Sequence, residues 1–541
     1  MAASTCPESK MIRKLRDDAW IAFILLLAGW KYTCGLEKIL DIGLYDESVY
    51  LYRGVSLPSH GLPDAQHAPL YALWYFLLSL WRRDRIDLYY FNYKALAVIL
   101  PIVLYFVLRR YKVSILPSVA VSFFFLISYA NLAVWPKVSH FSLLVVLLSF
   151  ALATYPKSVS GRLAVVVPGA LLGSYVRPEF FFAFILLSLL YAGFMLLKVR
   201  THQLSDYIPF TIVIFLAGLL VAFLGLPLGS GGRDFSAFGQ HFALNWTGWT
   251  GSHLNPWTNW KGIIGQNFGA IGSIPEAMFS NPVVFAKHIV DNIMNIPGTL
   301  MDLLFVHASI FLPGIRNKID TYLLVISLAI YVFFSRHRII SELKSRIIGW
   351  KVVFLCFGCY LVPSLIAALV IFPSHHYLLL ASTLVLIVAT LLLASQEGAQ
   401  SFTIKQLLLL SLIVIAILPP PSHLVEVAPR RMNVSTIEFV RSLQIIREVN
   451  LLEAEGGFHI YLPDNFHRVT EHAKDAGFSV FLNREKINMI VLTDKLINDS
   501  RFRNDAEWRY FLDHYAALGY RRMHIPNTNR QLIVADELLY R

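Results

Sequence analysis

The chain has 541 residues, 56% of them hydrophobic, and a mean hydropathy of +0.56. That balance excludes a soluble enzyme and points to an all-α polytopic membrane protein. The net charge of +12 does not indicate nucleic-acid binding: the basic residues gather in short loops, where Lys and Arg set topology, and no known nucleic-acid module accompanies them.

In chain order, Lys10, Arg13, Lys14 and Arg16 precede a first apolar run at 21–29, which puts the N-terminus in the cytoplasm and 36–66 outside. No small-residue cleavage site follows that run, so it is expected to stay as a span rather than leave as a signal peptide. The next run, Pro69–Trp81, is short. If it crossed, Arg82, Arg83 and Arg85 would lie inside, but Arg109, Arg110, Lys112, Lys157, Arg162, Lys198 and Arg200 would fall outside. The charge balance therefore keeps Pro69–Trp81 on the outer face as an amphipathic or re-entrant helix.

Further apolar stretches lie at 95–108, 114–130, 141–153, 178–197, 208–228, 319–335, 350–372, 377–394 and 406–419. The same parity makes 299–314 an external helix and places the basic run Arg336 to Lys351 inside. Together these give about eleven spans. External loops are expected at 36–91, 131–137, 229–318 and 373–376, with the tail 421–541 also outside. Cys356 and Cys359 have CxxC spacing, but inside VVFLCFGCYLV they read as buried small hydrophobes. Four cysteines give no disulfide framework.

After Pro419-Pro420-Pro421 the composition turns polar. Strand-like runs appear at 458–463 (FHIYLP), 478–482 (FSVFL), 488–493 (NMIVLT) and 531–536 (QLIVAD), with helical patterns at 435–450, 466–476 and 505–518. This predicts a small α/β domain over 421–541 behind a membrane module over 1–420. The tail has no Gly-rich phosphate loop, metal-ligand cluster or nucleophile elbow, so a supporting or recognition role is expected.

The polar residues near the membrane fall on one predicted side. Tyr45-Asp46-Glu47 stands in the first external loop, with His60 and His67 beyond it. Trp135-Pro136-Lys137 and His140 follow in the second, and Arg177-Pro178-Glu179 turns between the fifth and sixth spans. The long loop 229–318 carries Arg233, Asp234, His241, His253 and Lys261 among aromatics, and Pro373-Ser374-His375-His376-Tyr377 opens a late span. A carboxylate close to a bilayer is costly, so the acidic pair reads first as a functional site. Each interfacial Lys or His taken singly reads more readily as an anchor or headgroup contact than as a functional group.

In order and spacing, Tyr45-Asp46-Glu47, His67-Ala68-Pro69-Leu70-Tyr71, Arg177-Pro178-Glu179 and His375-His376-Tyr377-Leu378-Leu379 resemble the GT-C (type A) glycosyltransferases. That superfamily includes protein O-mannosyltransferases, aminoarabinose transferases and mycobacterial arabinofuranosyltransferases. The resemblance covers roughly residues 15–395. It implies a GT-C-like membrane core with an extracytoplasmic C-terminal domain, and inverting transfer of a sugar from a polyprenyl-phosphate donor. One departure is that the second external loop, Asn131 to Lys137, has no acid; several relatives carry one, so a two-carboxylate or metal-assisted scheme is not expected.

The chemistry fits a small set of groups. A departing phosphate needs no proton, so the acid partner of glycosidases can be absent. One carboxylate takes the acceptor hydroxyl's proton, and cations stabilise the phosphate. Asp46 is the expected base and Glu47 its orienting neighbour. Lys137, Arg177, His375 and His376 are the pool of phosphate ligands, and Tyr45, His67, Arg233 and Trp249 the candidate substrate contacts. Aromatics over 242–260 read either as sugar-stacking faces or as an interfacial belt. No cofactor and no metal are expected. The expected partners are the lipid bilayer, a polyprenyl-phosphate sugar, and a glycan, glycolipid or protein acceptor in cell-envelope biogenesis. The expected location is the bacterial inner membrane, with the site outside. The rival reading is a transporter or flippase of a lipid-linked or small polar substrate, against which stand the lack of repeated halves and the gathering of polar groups at one interface.

Overall fold

The computed structural model describes residues 7–197, 204–227, 232–305, 347–348, 350–394, 406, 431–470, 477–499 and 501–539. These residues are mostly helical, with one small sheet near the C-terminus. The expected spans at 319–335 and 406–419, the basic run Arg336 to Lys351 apart from its last residues, and the end of the 299–314 helix lie outside the described residues.

Among the described residues, six helices are long and apolar enough to cross a membrane: Leu15–Lys38, Arg85–Arg110, Phe180–Leu197, Tyr207–Leu224, Trp350–Val370 and His375–Leu393. This is consistent with a membrane protein. Shorter apolar helices occupy Pro69–Ser79, Ile115–Ile127, Val138–Leu152 and Val159–Ser174. Ile212, Phe215, Leu219 and Phe223 on the Tyr207–Leu224 helix are exposed, which in water would be costly and in lipid costs nothing.

The chain divides into two compact units, one of Met1–Thr33, Leu62–Tyr71 and Lys94–Pro419, the other of Cys34–Gly61, Ala72–Tyr93 and Pro420–Arg541. In the first, the helix Val159–Ser174 packs against Val138–Leu152, Phe180–Leu197 and Leu204–Leu224. Its Gly169 permits the first of these contacts, since a Cβ there would lie 2.4 Å from that of Ser149. Small residues that let helix backbones approach are the usual device of membrane packing. The long loop folds into helices Arg233–Thr250, Pro256–Phe268, Ile274–Ser280 and Pro282–Phe305 around its own core of Phe238, Phe242, Ile263, Ile264, Phe268 and Phe285.

In the second unit five strands, β1 (Val449–Leu452), β2 (Phe466–Val469), β3 (Met489–Leu492), β4 (Tyr520–His524) and β5 (Gln531–Ala535), form one sheet in the order β2-β1-β3-β5-β4. β1 runs parallel to β2 and β3, and β5 antiparallel to β3 and β4. The buried runs MIVL and QLIVA fill the centre, as continuous apolar strands do, over Phe478, Phe481, Phe502, Trp508 and Phe511. The first loop belongs to this unit as well. Asp41 accepts the backbone N–H groups of Asn433 at 2.9 Å and Val434 at 3.1 Å. A carboxylate from residue 41 thus caps the helix Met432–Ser442.

Four expected elements in the tail are different in the structure. FSVFL forms part of the helix Phe478–Arg484, not a strand. Its buried residues, Phe478, Phe481 and Leu482, repeat at i, i+3 and i+4, and Asp505 and Glu507 accept the N–H groups of Phe478 and Ser479 at its start. FHIYLP is a 3-10 turn over Phe458–Tyr461. The buried Glu453 carboxylate draws in the N–H groups of Gly456, Gly457 and Phe458 and so removes them from any ladder. The helix expected over 435–450 ends at Ser442, and Val449 opens β1. The helix expected over 466–476 begins instead as β2, and 471–476 lie outside the described residues.

Candidate functional site

The candidate residues fall into an acidic group in the second unit and a basic group in the first. The acidic pair occupies the first turn of the helix Asp46–Val55, where carboxylates are stabilised by the unpaired N–H groups and the helix dipole. The two neighbours differ sharply. Glu47 is 1% exposed, whereas Asp46 is exposed to solvent. The Tyr75 hydroxyl donates to Glu47 Oε1 at 2.5 Å and Asn92 Nδ2 donates to the same atom at 3.1 Å. Asn92 is itself fixed by the Trp74 indole N–H at 2.8 Å. No hydrogen bond or ion pair reaches the Asp46 carboxylate among the described residues.

This division follows from helical geometry, since successive residues point about 100° apart: Glu47 and Ser48 fall on the face turned to the protein and Asp46 on the other. Gly54 brings the helix close enough for Glu47 to reach its partners: a Cβ there would stand 2.3 Å from that of Tyr75 and 2.8 Å from the Ala72 carbonyl. Ser48 extends the anchor, bonding Tyr461 Oη and the Gly43 carbonyl, each at 2.7 Å. Sequence reading missed Tyr75 and Asn92. A lone Asn within the apolar run FNYKALAVIL was the one available signal.

In the basic group, Arg177 is almost fully buried and its orientation is fixed. Nε and Nη2 donate to Glu179 Oε1 at 2.6 and 2.5 Å, Nη1 donates to Ser139 Oγ at 2.6 Å, and the guanidinium lies 4.9 Å from the Tyr377 ring centroid. The His376 ring stands against Tyr377 at 4.2 Å. His375 pairs with Asp302 at 3.3 Å and packs on Tyr129 at 4.8 Å. His376 lies within electrostatic reach of Arg177, His375 and His241. His241 comes from the long loop, stacks on Phe372 at 5.2 Å and meets the Trp257 ring edge-on at 5.5 Å. Burial lowers its basicity below the ordinary histidine value. The structure therefore brings Arg177, His375 and His376 together and adds His241, which spacing alone could not have assigned to them.

Lys137 stands differently. It is fully buried, and its ammonium donates to the carbonyls of Asn131 and Leu132, both at 3.0 Å. His140 Nε2 donates to the carbonyls of Ala130 and Asn131, both at 2.9 Å, and so tightens the same turn. His67 is half-exposed and 3.8 Å from Asp64, and Arg233 donates to the Gln66 carbonyl at 3.1 Å. The Trp249 indole N–H is taken by Asp291, and Lys287 lies over its ring at 4.4 Å. Phe242 is core. Of the aromatics over 242–260, Trp257 is the most open, at 49% exposure. Tyr45 is also exposed, but Lys495 lies over its ring at 4.5 Å.

No cluster of three or more His, Cys, Asp or Glu able to hold a metal occurs among the described residues. Comparison with protein-family models finds no match, and comparison with curated proteins finds none either. The functional reading therefore rests on the residues themselves and on the motif resemblance. Chemically, the acidic group offers one accessible carboxylate on an anchored turn. The basic group offers an oriented guanidinium and three imidazoles among aromatic rings.

Proposed function

We propose that this chain is an inverting glycosyltransferase of the GT-C type, moving a sugar from a polyprenyl-phosphate donor to a hydroxyl of a glycan, lipid or protein. In this reading Asp46 takes the proton of the acceptor hydroxyl as that oxygen attacks the anomeric carbon. The bond to the phosphate breaks, and the phosphate leaves with its charge and needs no proton. Arg177, with the imidazoles of His375 and His376, stabilises that charge through charge-assisted hydrogen bonds. Glu47 holds the turn that carries Asp46. Lys137, bound to backbone carbonyls, supports the turn before the helix Val138–Leu152 rather than the phosphate. About eleven spans, with the acids and the sheet domain outside the cytoplasm, is the topology that the distribution of Lys and Arg favours.

The single observation that carries the reading is the contrast within the acidic pair: an exposed carboxylate with no partner among the described residues beside a buried one with two donors. A purely structural pair would be expected to spend both. The test compares glycolipid and cell-envelope glycan profiles of cells with the protein, without it, and with Asp46→Asn. Asp46→Asn keeps the shape and removes the basicity, so transfer is expected to fall roughly 10²–10⁴-fold, the usual worth of a positioned base. Profiles that do not change on deletion, or product at near-normal rate from Asp46→Asn, would reject it. Movement of a lipid-linked sugar across the bilayer with no product formed would favour the flippase reading instead.

A further inference from the structure

Among the described residues Asp46 has no side-chain partner of its own, so its position is fixed through the backbone. That backbone begins at Tyr45. The Tyr45 carbonyl accepts the N–H of Ser48 at 2.8 Å and of Val49 at 3.4 Å, and so sets where the helix Asp46–Val55 starts. What holds Tyr45 therefore holds the carboxylate.

We propose that Lys495 and Glu455 of the sheet domain are positioning residues that act through Tyr45 to fix Asp46, an inference that rests on the reading of Asp46 as the base. The Lys495 ammonium donates to the Tyr45 hydroxyl and lies 4.5 Å from the ring centroid. The same hydroxyl donates to Glu455 Oε2 at 3.3 Å, and Lys495 stands 3.8 Å from that carboxylate. The phenol is thus held by a cation and an anion at once, with a cation–π contact added. Lys495 stands on a firm support: it lies on the short helix that directly follows the buried central strand β3, and Thr493, between the two, caps that helix by accepting the Leu496 N–H at 3.2 Å. Burial makes Glu455 easier to protonate and Lys495 easier to deprotonate than usual, the former partly offset by Arg530 and Thr493.

A second contact tightens the clamp. A Cβ on Gly457 would lie 2.1 Å from the Leu44 carbonyl oxygen, so the backbone of the 453–458 loop meets the chain one residue before Tyr45. Glu453 shapes that loop through the three N–H groups it accepts. The sheet domain therefore serves the acid directly. Displacing a base by about 1 Å can cost roughly 10²-fold in rate, so a clamp on Tyr45 is a control on turnover.

The test is hydrogen exchange on the full-length protein in detergent, following peptides that cover residues 44–52, β3 and β5. Lys495→Met and Glu455→Gln are expected to raise exchange in the 44–52 peptide about threefold or more while leaving the sheet peptides protected. Lys495→Arg, which keeps the donor and the cation–π contact, is expected to restore it. Cells carrying Lys495→Met should form less product than those carrying Lys495→Arg. Unchanged exchange at 44–52 in both variants with an intact sheet would overturn the proposal. If Lys495→Met loosens the sheet, Tyr45→Phe, which deletes only the clamped hydroxyl, decides by the same peptide. Raised exchange with a normal glycan profile in Asp46→Asn cells would reject the base and leave the clamp in place, so the two failures are distinguishable.

Discussion

The acidic and basic groups solve opposite problems. Around Asp46 and Glu47 the protein anchors one carboxylate with neutral donors, Tyr75 and Asn92, and leaves the next free. Around Arg177 and His375 each basic side chain is matched with a carboxylate, Glu179 and Asp302. The difference follows from burial. A nearly buried guanidinium is costly without a partner, so Glu179 makes Arg177 tolerable and fixes its direction. An exposed carboxylate is solvated by water and can wait without one. Readiness for chemistry thus takes a different form in each group: an exposed acid, and pre-oriented basic side chains paired with carboxylates.

The contrast between the two groups rests on separate supports, and the largest loss is expected in the long loop that supplies His241 to the basic group. His288 in this loop is fully buried, accepts from Asn245 at 3.0 Å and donates to the Val370 carbonyl at 3.1 Å. Burial holds it at about 4, below its usual 6.5. Between those values the unfolded chain binds the extra proton, so stability present above the unfolded value is lost as pH falls towards 4, by roughly 3 kcal/mol. Thermal unfolding against pH should show that loss and His288→Gln should flatten it; identical profiles would remove His288 as the loop's pin.

Glu47→Ala should come next. It removes the buried acceptor of the Tyr75 hydroxyl, leaving Asn92 bonded to that hydroxyl at 2.9 Å, and is expected to cost about 2–3 kcal/mol, read as a lowered unfolding midpoint. The same substitution at Asp46 should be nearly silent in that assay. Equal destabilisation by both would erase the contrast.

On the basic side, Arg177→Ala should weaken binding of a polyprenyl-phosphate sugar by about 1.5–3 kcal/mol, the worth of a charged hydrogen bond. Lys137→Met should weaken folding and leave that binding near normal. The reverse pattern would exchange their roles. The smallest effect is expected from EDTA, which should leave product formation intact; full loss with rescue by Mn²⁺, Mg²⁺ or Ca²⁺ would make Asp46 or Glu47 a metal ligand.

Much of this was legible in the sequence, for physical reasons that also mark where it stopped. Apolar length gave the helices Arg85–Arg110, Phe180–Leu197 and His375–Leu393, and the short Pro69–Ser79 helix where the basic loops argued against a span. The change to polar composition gave a sheet-bearing tail. It could not give FSVFL as a helix, because a five-residue apolar run carries no decisive period and its caps, Asp505 and Glu507, are remote in sequence. Nor could it show that residues 34–61 fold with the tail, since the Asp41 cap on Met432–Ser442 joins segments almost 400 residues apart. Within the site, the type and order of residues marked Asp46-Glu47 as a pair. Only burial tells its two members apart, and only side-chain contacts tell the oriented Arg177 from the carbonyl-bound Lys137.

If Asp46 does the chemistry while the basic group holds the donor, binding and transfer separate in purified protein. Asp46→Asn should bind a polyprenyl-phosphate sugar with near wild-type affinity and transfer it roughly 10²–10⁴-fold more slowly, whereas Arg177→Ala should lose affinity first. Near-normal transfer by Asp46→Asn, with its fold and donor affinity intact, would contradict the account.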